Sequence, residues 1–161
     1  MSLTQDRFDM TKTLGWREWV RLPDLRIKRI KAKIDTGALS SCLHAHDIEI
    51  HENADLTTVS FKLQPMQKDR SEVVEVTAAV HEFRQVRSSN GQTTTRPVIR
   101  TSIEIMSIRY EIDVTLFDRT KMGFRMLIGR AALRGRFVVD PDKSYCGGKP
   151  KKKKIKRKDV E

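Results

Sequence analysis

A chain of 161 residues, 38% apolar and 33% charged, has material for one domain around one core. No apolar run is long enough to span a bilayer, and the opening MSLTQDRFDM lacks the apolar stretch of a secretory leader, so neither a membrane protein nor a secreted precursor is expected. The net charge is +11; the end from Lys149 onward holds +6 of it and residues 1–148 hold +5. The body is therefore basic in its own right and suited to polyanionic partners. With 6% aromatic residues there is little to stack on unpaired bases. The two cysteines, Cys42 and Cys146, are far apart and read as free thiols of a cytoplasmic protein.

Residues 1–14 are polar and read as a flexible N-terminus, residues 15–146 as one domain, and residues 147–161 as a disordered basic tail. Trp16–Leu22 reads as a strand stopped by Pro23-Asp24. Arg26–Ile34 alternates, with Ile30, Ala32 and Ile34 pointing one way and Arg29, Lys31 and Lys33 the other. Similar alternation marks Val59-Phe61-Leu63 and Val74–Val80. Between Ile103 and Leu116 the apolar parity slips, which places a turn or bulge at Met106-Ser107. Met126–Ile128 is a short apolar strand entering Gly129, Ala131–Leu133 a turn of helix ended by Gly135, and Phe137–Val139 a last strand. Many short strands with one short helix give an all-β sandwich or barrel.

Lys33-Ile34-Asp35-Thr36-Gly37-Ala38 brings a carboxylate from an alternating strand into a tight turn, where Gly supplies backbone freedom. On local grounds alone, capping a turn is the commoner role for such an Asp. About ninety residues later comes Leu127-Ile128-Gly129-Arg130-Ala131-Ala132-Leu133. Together these segments resemble the retropepsin-like aspartic peptidases, whose half-site pairs apolar-Asp-Thr/Ser-Gly-Ala with a later apolar-apolar-Gly and helix. The longer string Ile34–Ala45, with Arg96-Pro97-Val98-Ile99 and Val139-Asp140-Pro141, resembles the RimK-associated, RimB-like branch, often labelled "ATP-dependent zinc protease". The resemblance covers about residues 15–145 and implies a closed acid-protease barrel with one short C-terminal helix.

An aspartic peptidase needs two carboxylates sharing one proton, one taking a proton from the attacking water and the other donating to the carbonyl oxygen. This chain has one Asp-Thr-Gly, so Asp35 needs the Asp35 of a second copy across a two-fold axis. The resemblance then makes Asp35, Thr36 and Gly37 the catalytic turn, with Thr36 bonding across the axis. It also makes Ala38, Ile128 and Gly129 line the substrate. A β-hairpin flap is expected at Arg87–Thr93, where Asn90-Gly91 is a strong hairpin signal. Phe83–Ile103 contains Arg84, Arg87, Arg96 and Arg100 and no acid, so Arg87, Arg96, Asn90 and Gly91 are expected to meet an anionic substrate. The ligases associated with this branch add glutamates to a ribosomal protein, so the resemblance implies cleavage of an acidic, glutamate-modified tail.

Two departures stand out. The motifs are farther apart than in viral retropepsins, which predicts an extra segment within Asp47–Val80 beside the barrel. Leu39, Ser40 and Ser41 replace the acids that usually pair with the Arg after the second Gly, so Arg130 needs another partner. Cys42, His44 and His46 alternate and would suit zinc on one strand face, with His51 or His81 as a fourth ligand. No H-E-x-x-H or C-x-x-C accompanies them, and no phosphate-binding loop of the G-x-x-x-x-G-K-S/T type occurs. Neither metal nor cofactor is therefore expected. The leading expectation is a homodimeric aspartic peptidase. A non-catalytic binding module for acidic polypeptide or ribosomal RNA comes second, and a zinc hydrolase third. The lysine tail reads as a weak, non-specific anchor for RNA, the ribosome or an acidic substrate.

Overall fold

The computed structural model describes residues 12–66, 72–118 and 123–149. Twelve strands and two short helical turns follow in order among them: β1 (Lys12–Leu14), β2 (Arg17–Leu22), a 3-10 turn (Pro23–Leu25), β3 (Ile27–Asp35), β4 (Ser41–His44), β5 (His46–Glu52), β6 (Thr57–Leu63), β7 (Val74–Ala79), β8 (Glu82–Arg87), β9 (Thr93–Ile105), β10 (Ile108–Phe117), β11 (Met126–Gly129), α1 (Arg130–Leu133) and β12 (Phe137–Val139). The main sheet runs β10-β4-β11-β3-β2-β9-β8, and β9 also pairs with β10. That second pairing closes six strands into a barrel and leaves β8 as an outrigger on β9. Closure removes the free edges that an open sheet would expose.

The alternation of β3 does what its sequence requires: Ile30, Ala32 and Ile34 are buried while Lys33 is exposed. Ile99, Ile103, Ile105, Val114, Leu116, Met126 and Ile128 fill the same interior from the other strands. The parity slip falls at Met106 and Ser107, both at positive φ (52° and 67°), and they form the two-residue turn joining β9 to β10. Left-handed residues at both positions give the turn the twist that antiparallel strands need.

β5, β6 and β7 form a separate three-stranded antiparallel sheet between β4 and β8, which is the extra segment expected within Asp47–Val80. It joins the common core through Val59, Phe61 and Leu63. At the chain ends, Lys12–Leu14 are not loose: they form β1, parallel to β12. The rest of the N-terminus read as flexible lies outside the described residues, as does the basic tail from residue 150 onward. Residues 147–149 of that expected tail are placed, with Gly147 N–H bonding the Glu18 carboxylate at 3.0 Å. Both cysteines are free thiols, Cys42 buried and Cys146 exposed. Among the described residues, no helix is long and apolar enough to cross a membrane.

Candidate active site

β3 ends by sending Ile34 into the core and leaving Asp35 half-buried at the rim. The chain then turns sharply. Gly37 N–H donates to Asp35 Oδ1 at 3.1 Å, and Ala38 N–H donates to the Asp35 carbonyl at 3.3 Å. Asp35 thus organises its own turn, as the local pattern anticipated, with Thr36 and Gly37 exposed beside it.

A second segment carries this turn. β11 runs parallel to β3, with Gly129 opposite Asp35. Gly129 N–H donates to Ser41 Oγ at 3.1 Å. The first residues of α1 then satisfy their free N–H groups on the loop: Arg130 N–H on the Ala38 carbonyl (2.8 Å) and Ala131 N–H on the Leu39 carbonyl (3.2 Å). Arg130 finds its replacement partner here too, its Nη1 donating to the Gly37 carbonyl at 3.1 Å. A backbone carbonyl thereby takes the place of the missing acids, and the guanidinium braces the Asp35 turn from below.

The other expected site residues divide. Asn90 and Gly91 lie exposed at the tip of the β8–β9 hairpin, where Gly91 takes φ +84° and Ser88 N–H bonds the Gln92 carbonyl at 2.8 Å. Arg87 is exposed beside that tip. Ala38 is half-buried on the Asp loop. Ile128 is fully buried and Gly129 is buried beneath the loop, so both act as supports rather than as a lining surface.

Arg96 corrects the reading of the arginine-rich stretch. It is only 4% exposed, its guanidinium lies 3.9 Å from the Phe117 ring centroid, and Nη1 is 3.6 Å from Cys42 Sγ. A long cation with an aromatic face to lie on packs inward instead of facing ligand. The stretch is also less bare than it reads, because β10 supplies Asp113, which binds Arg100 at 3.0 Å and stands 3.8 Å from Arg84. Arg100 is pushed above its ordinary pKa by the hydrogen bond it donates to Asp113.

Sequence reasoning missed what Arg84, Arg134 and Arg136 do. Arg84 Nη1 donates to Ser40 Oγ at 2.9 Å, tying the hairpin base to the Asp loop. It opens onto a groove of about 670 Å³ that Leu39, Ser40, Tyr110, Arg134 and Arg136 also line. Arg136 lies 4.1 Å over the Tyr110 ring, and Tyr110 donates to the Ala132 carbonyl at 2.7 Å. Burial pushes the Tyr110 hydroxyl up to about 12, so it stays a neutral donor. Arg134 and Arg136 are exposed, and neither forms an ion pair among the described residues. Asp35 does not line this groove, whose wall includes Leu39 and Ser40 from the loop that follows it.

The strand read as a possible zinc face turns inward. Cys42 and His44 are each 4% exposed, Cys42 beside Arg96 and His44 with Nδ1 3.8 Å from Asp118. His46 falls on β5. Among the described residues, no three His, Cys, Asp or Glu side chains converge as a metal site would require.

A closed barrel with an Asp-Thr-Gly turn hung on an apolar-apolar-Gly strand and a short helix is the half-site architecture of the acid proteases. The family model described as retropepsin-like aspartic endopeptidase RimB matches residues 13–150, and the chain belongs to this RimB-like family. A probable alpha-L-glutamate ligase of Parasynechococcus marenigrum is 42% identical over 132 residues, 82% of this chain and 28% of that protein. One of the same name from Shewanella pealeana is 37% identical, over 84% of this chain and 30% of that protein. The chain thus spans less than a third of the length of these relatives. A crystal structure of a Legionella pneumophila protein of unknown function superposes with a TM-score of 0.67 at 24% identity, covering 84% of this chain and 98% of that one, and shares the fold.

Proposed function

We propose that two copies of this chain form an aspartic peptidase that cleaves an acidic peptide. The observation that carries the reading is the Asp35 turn itself, fixed by Gly129, Arg130 and Ala131 at the barrel rim with Thr36 exposed for a partner. Two such turns meeting at Thr36 would bring the two Asp35 carboxylates together, and like charges in contact share one proton. The ionised carboxylate takes a proton from water as its oxygen attacks the amide carbon. The protonated one donates to the carbonyl oxygen. Collapse of the tetrahedral intermediate breaks the C–N bond, and the amine leaves with a proton.

An acidic substrate is supported by the exposed Arg134 and Arg136 beside the Asp loop and by Arg87 near the hairpin tip. That relatives several times longer are named glutamate ligases supports a glutamate-rich tail in particular, such as that of a ribosomal protein. The same relatives favour a second reading, in which the domain binds an acidic polypeptide without cleaving it.

Hydrolysis of a glutamate-rich peptide by wild type, by Asp35→Asn and by an equimolar mixture tests the reading. Asp35→Asn should bind and not cleave, and the mixture should fall below half activity because mixed dimers lack one carboxylate. Wild type that binds the peptide, stays monomeric and cleaves nothing would leave the binding-module reading. Hydrolysis unchanged in Asp35→Asn would end the carboxylate mechanism.

A further inference from the structure

Both tryptophans of the chain, and one of its two tyrosines, lie on one patch of the barrel surface. Trp16 packs edge-on against Phe124, the Arg17 guanidinium sits 4.5 Å from the Trp16 ring and 4.8 Å from the Tyr145 ring, and Tyr145 stacks on Trp19. Around Trp19 stand Lys149 (5.2 Å), Lys31 (5.3 Å) and Arg29 (5.9 Å). Lys31 is the cross-strand partner of Trp19, and Lys33 that of Arg17. Low aromatic content argues against a stacking surface, yet three of the chain's four Trp and Tyr rings are spent here.

How these cations are held matters. Lys62, Arg84, Arg100, Arg109 and Lys143 are each matched by carboxylates. Among the described residues, Arg17, Arg29, Lys31, Lys33 and Lys149 have no carboxylate within ion-pair distance. Aromatic faces fix a cation's position without cancelling its charge. The only acid within β2, Glu18, is fully buried. Outward residues of a strand repeat about every 6.6 Å, a spacing suited to successive charges along an extended polymer. From Lys149 the sequence continues into Lys151-Lys152-Lys153-Lys154.

We propose that the outer face of β2 and β3 binds single-stranded nucleic acid. Arg17, Arg29, Lys31, Lys33 and Lys149 turn to meet phosphates, and the ring faces of Trp19 and Tyr145 that they leave meet bases. An acidic polypeptide would use the charges and leave the rings idle; a nucleic acid strand uses both. None of these residues lines the arginine groove.

Fluorescence anisotropy of a labelled oligouridylate on the full chain, titrated at several salt concentrations, tests this. Affinity should fall steeply as salt rises. Lys31→Ala with Lys33→Ala should weaken binding by about tenfold and reduce the salt slope by about 2. Trp19→Leu should weaken binding at an unchanged slope, and Lys62→Ala, which removes a cation already paired with Asp47 on the separate three-stranded sheet, should bind as wild type does. Should Trp19→Leu fail to fold, Tyr145→Leu replaces it. Equal affinity in the lysine double variant overturns the proposal. So does displacement of the oligonucleotide by polyglutamate at equal charge concentration, which would make this a peptide surface.

Discussion

Gly129 stands directly opposite Asp35 in the parallel β3–β11 ladder, and the space where its side chain would be is already taken. A Cβ there would lie 2.6 Å from the Ser40 carbonyl and 2.7 Å from the Leu39 oxygen, both backbone atoms of the loop that follows the Asp35 turn. The glycine is therefore a spacing device: it lets the Asp loop settle onto the start of α1, where Ala38 and Leu39 carbonyls meet the N–H groups of Arg130 and Ala131.

Gly129→Ala should push that loop off its support. Overpacking of this kind costs about 1–3 kcal/mol, and the turn geometry should be lost before the fold is. Peptide hydrolysis should drop by more than the loss of folded protein explains, measured by activity against thermal melting. Gly123→Ala is the control, because a Cβ there meets nothing within 4 Å.

A second buried arrangement joins the two ends of the described chain. The Glu18 carboxylate, fully buried, accepts from Gly15 N–H (2.8 Å), Cys146 N–H (3.0 Å) and Gly147 N–H (3.0 Å). Glu18→Gln turns an acceptor-only group into one whose amide nitrogen faces donors. Leaving buried N–H groups unmatched should cost on the order of 3 kcal/mol. Denaturant midpoints should shift accordingly, and limited proteolysis should find new cuts within residues 141–149. An unchanged midpoint would mean the carboxylate is not what ties the ends.

Much of this was legible. The alternation of Ile30, Ala32 and Ile34 reported β3, the parity slip reported the Met106-Ser107 turn, and the Asp-Thr-Gly and Leu-Ile-Gly segments reported a loop pair that does meet. What escaped were side chains whose partners lie far away in sequence. Glu18 sits in step with Val20 and Leu22, so its parity already pointed inward, but nothing local names the three amides it serves. Arg96 reads as one more surface cation until Phe117 comes beneath it. The same holds for β4, whose alternating Cys42 and His44 look like a wet face and are buried, Cys42 under the Arg96 guanidinium that reaches it from far along the chain.

Tyr110 gives the pH behaviour a sign. Its hydroxyl titrates at about 12 in the folded protein against 10.0 ordinarily, because burial disfavours the phenolate. Below pH 10 both states hold the proton and nothing changes. Between about 10 and 12 the unfolded chain releases it more readily, so stability falls as pH rises. The melting temperature of Tyr110→Phe should be lower at neutral pH, from loss of the hydrogen bond to Ala132, and decline less between pH 10 and 12. Parallel curves for the two proteins would show that this hydroxyl is not the group at work.

The arginine groove makes the sharpest claim about substrate. Arg134 and Arg136 are exposed and carry no partner carboxylate among the described residues, whereas Arg84 and Arg100 share Asp113. The first pair therefore has charge to spend on a ligand, and the second is largely committed to the fold. Arg134→Glu with Arg136→Glu should raise KM for a glutamate-rich peptide by about tenfold or more while kcat changes little, if, as proposed, the groove binds and Asp35 reacts. The effect should shrink as salt is raised above about 0.15 M, where the Debye length is already near 8 Å. Reversal at Arg100 should behave differently: loss of its bond to Asp113 should lower the melting temperature, with a smaller change in KM. A neutral peptide of equal length should be indifferent to the Arg134 and Arg136 changes. If it responds as strongly as the acidic one, the groove shapes the fold of the cleft and does not select charge.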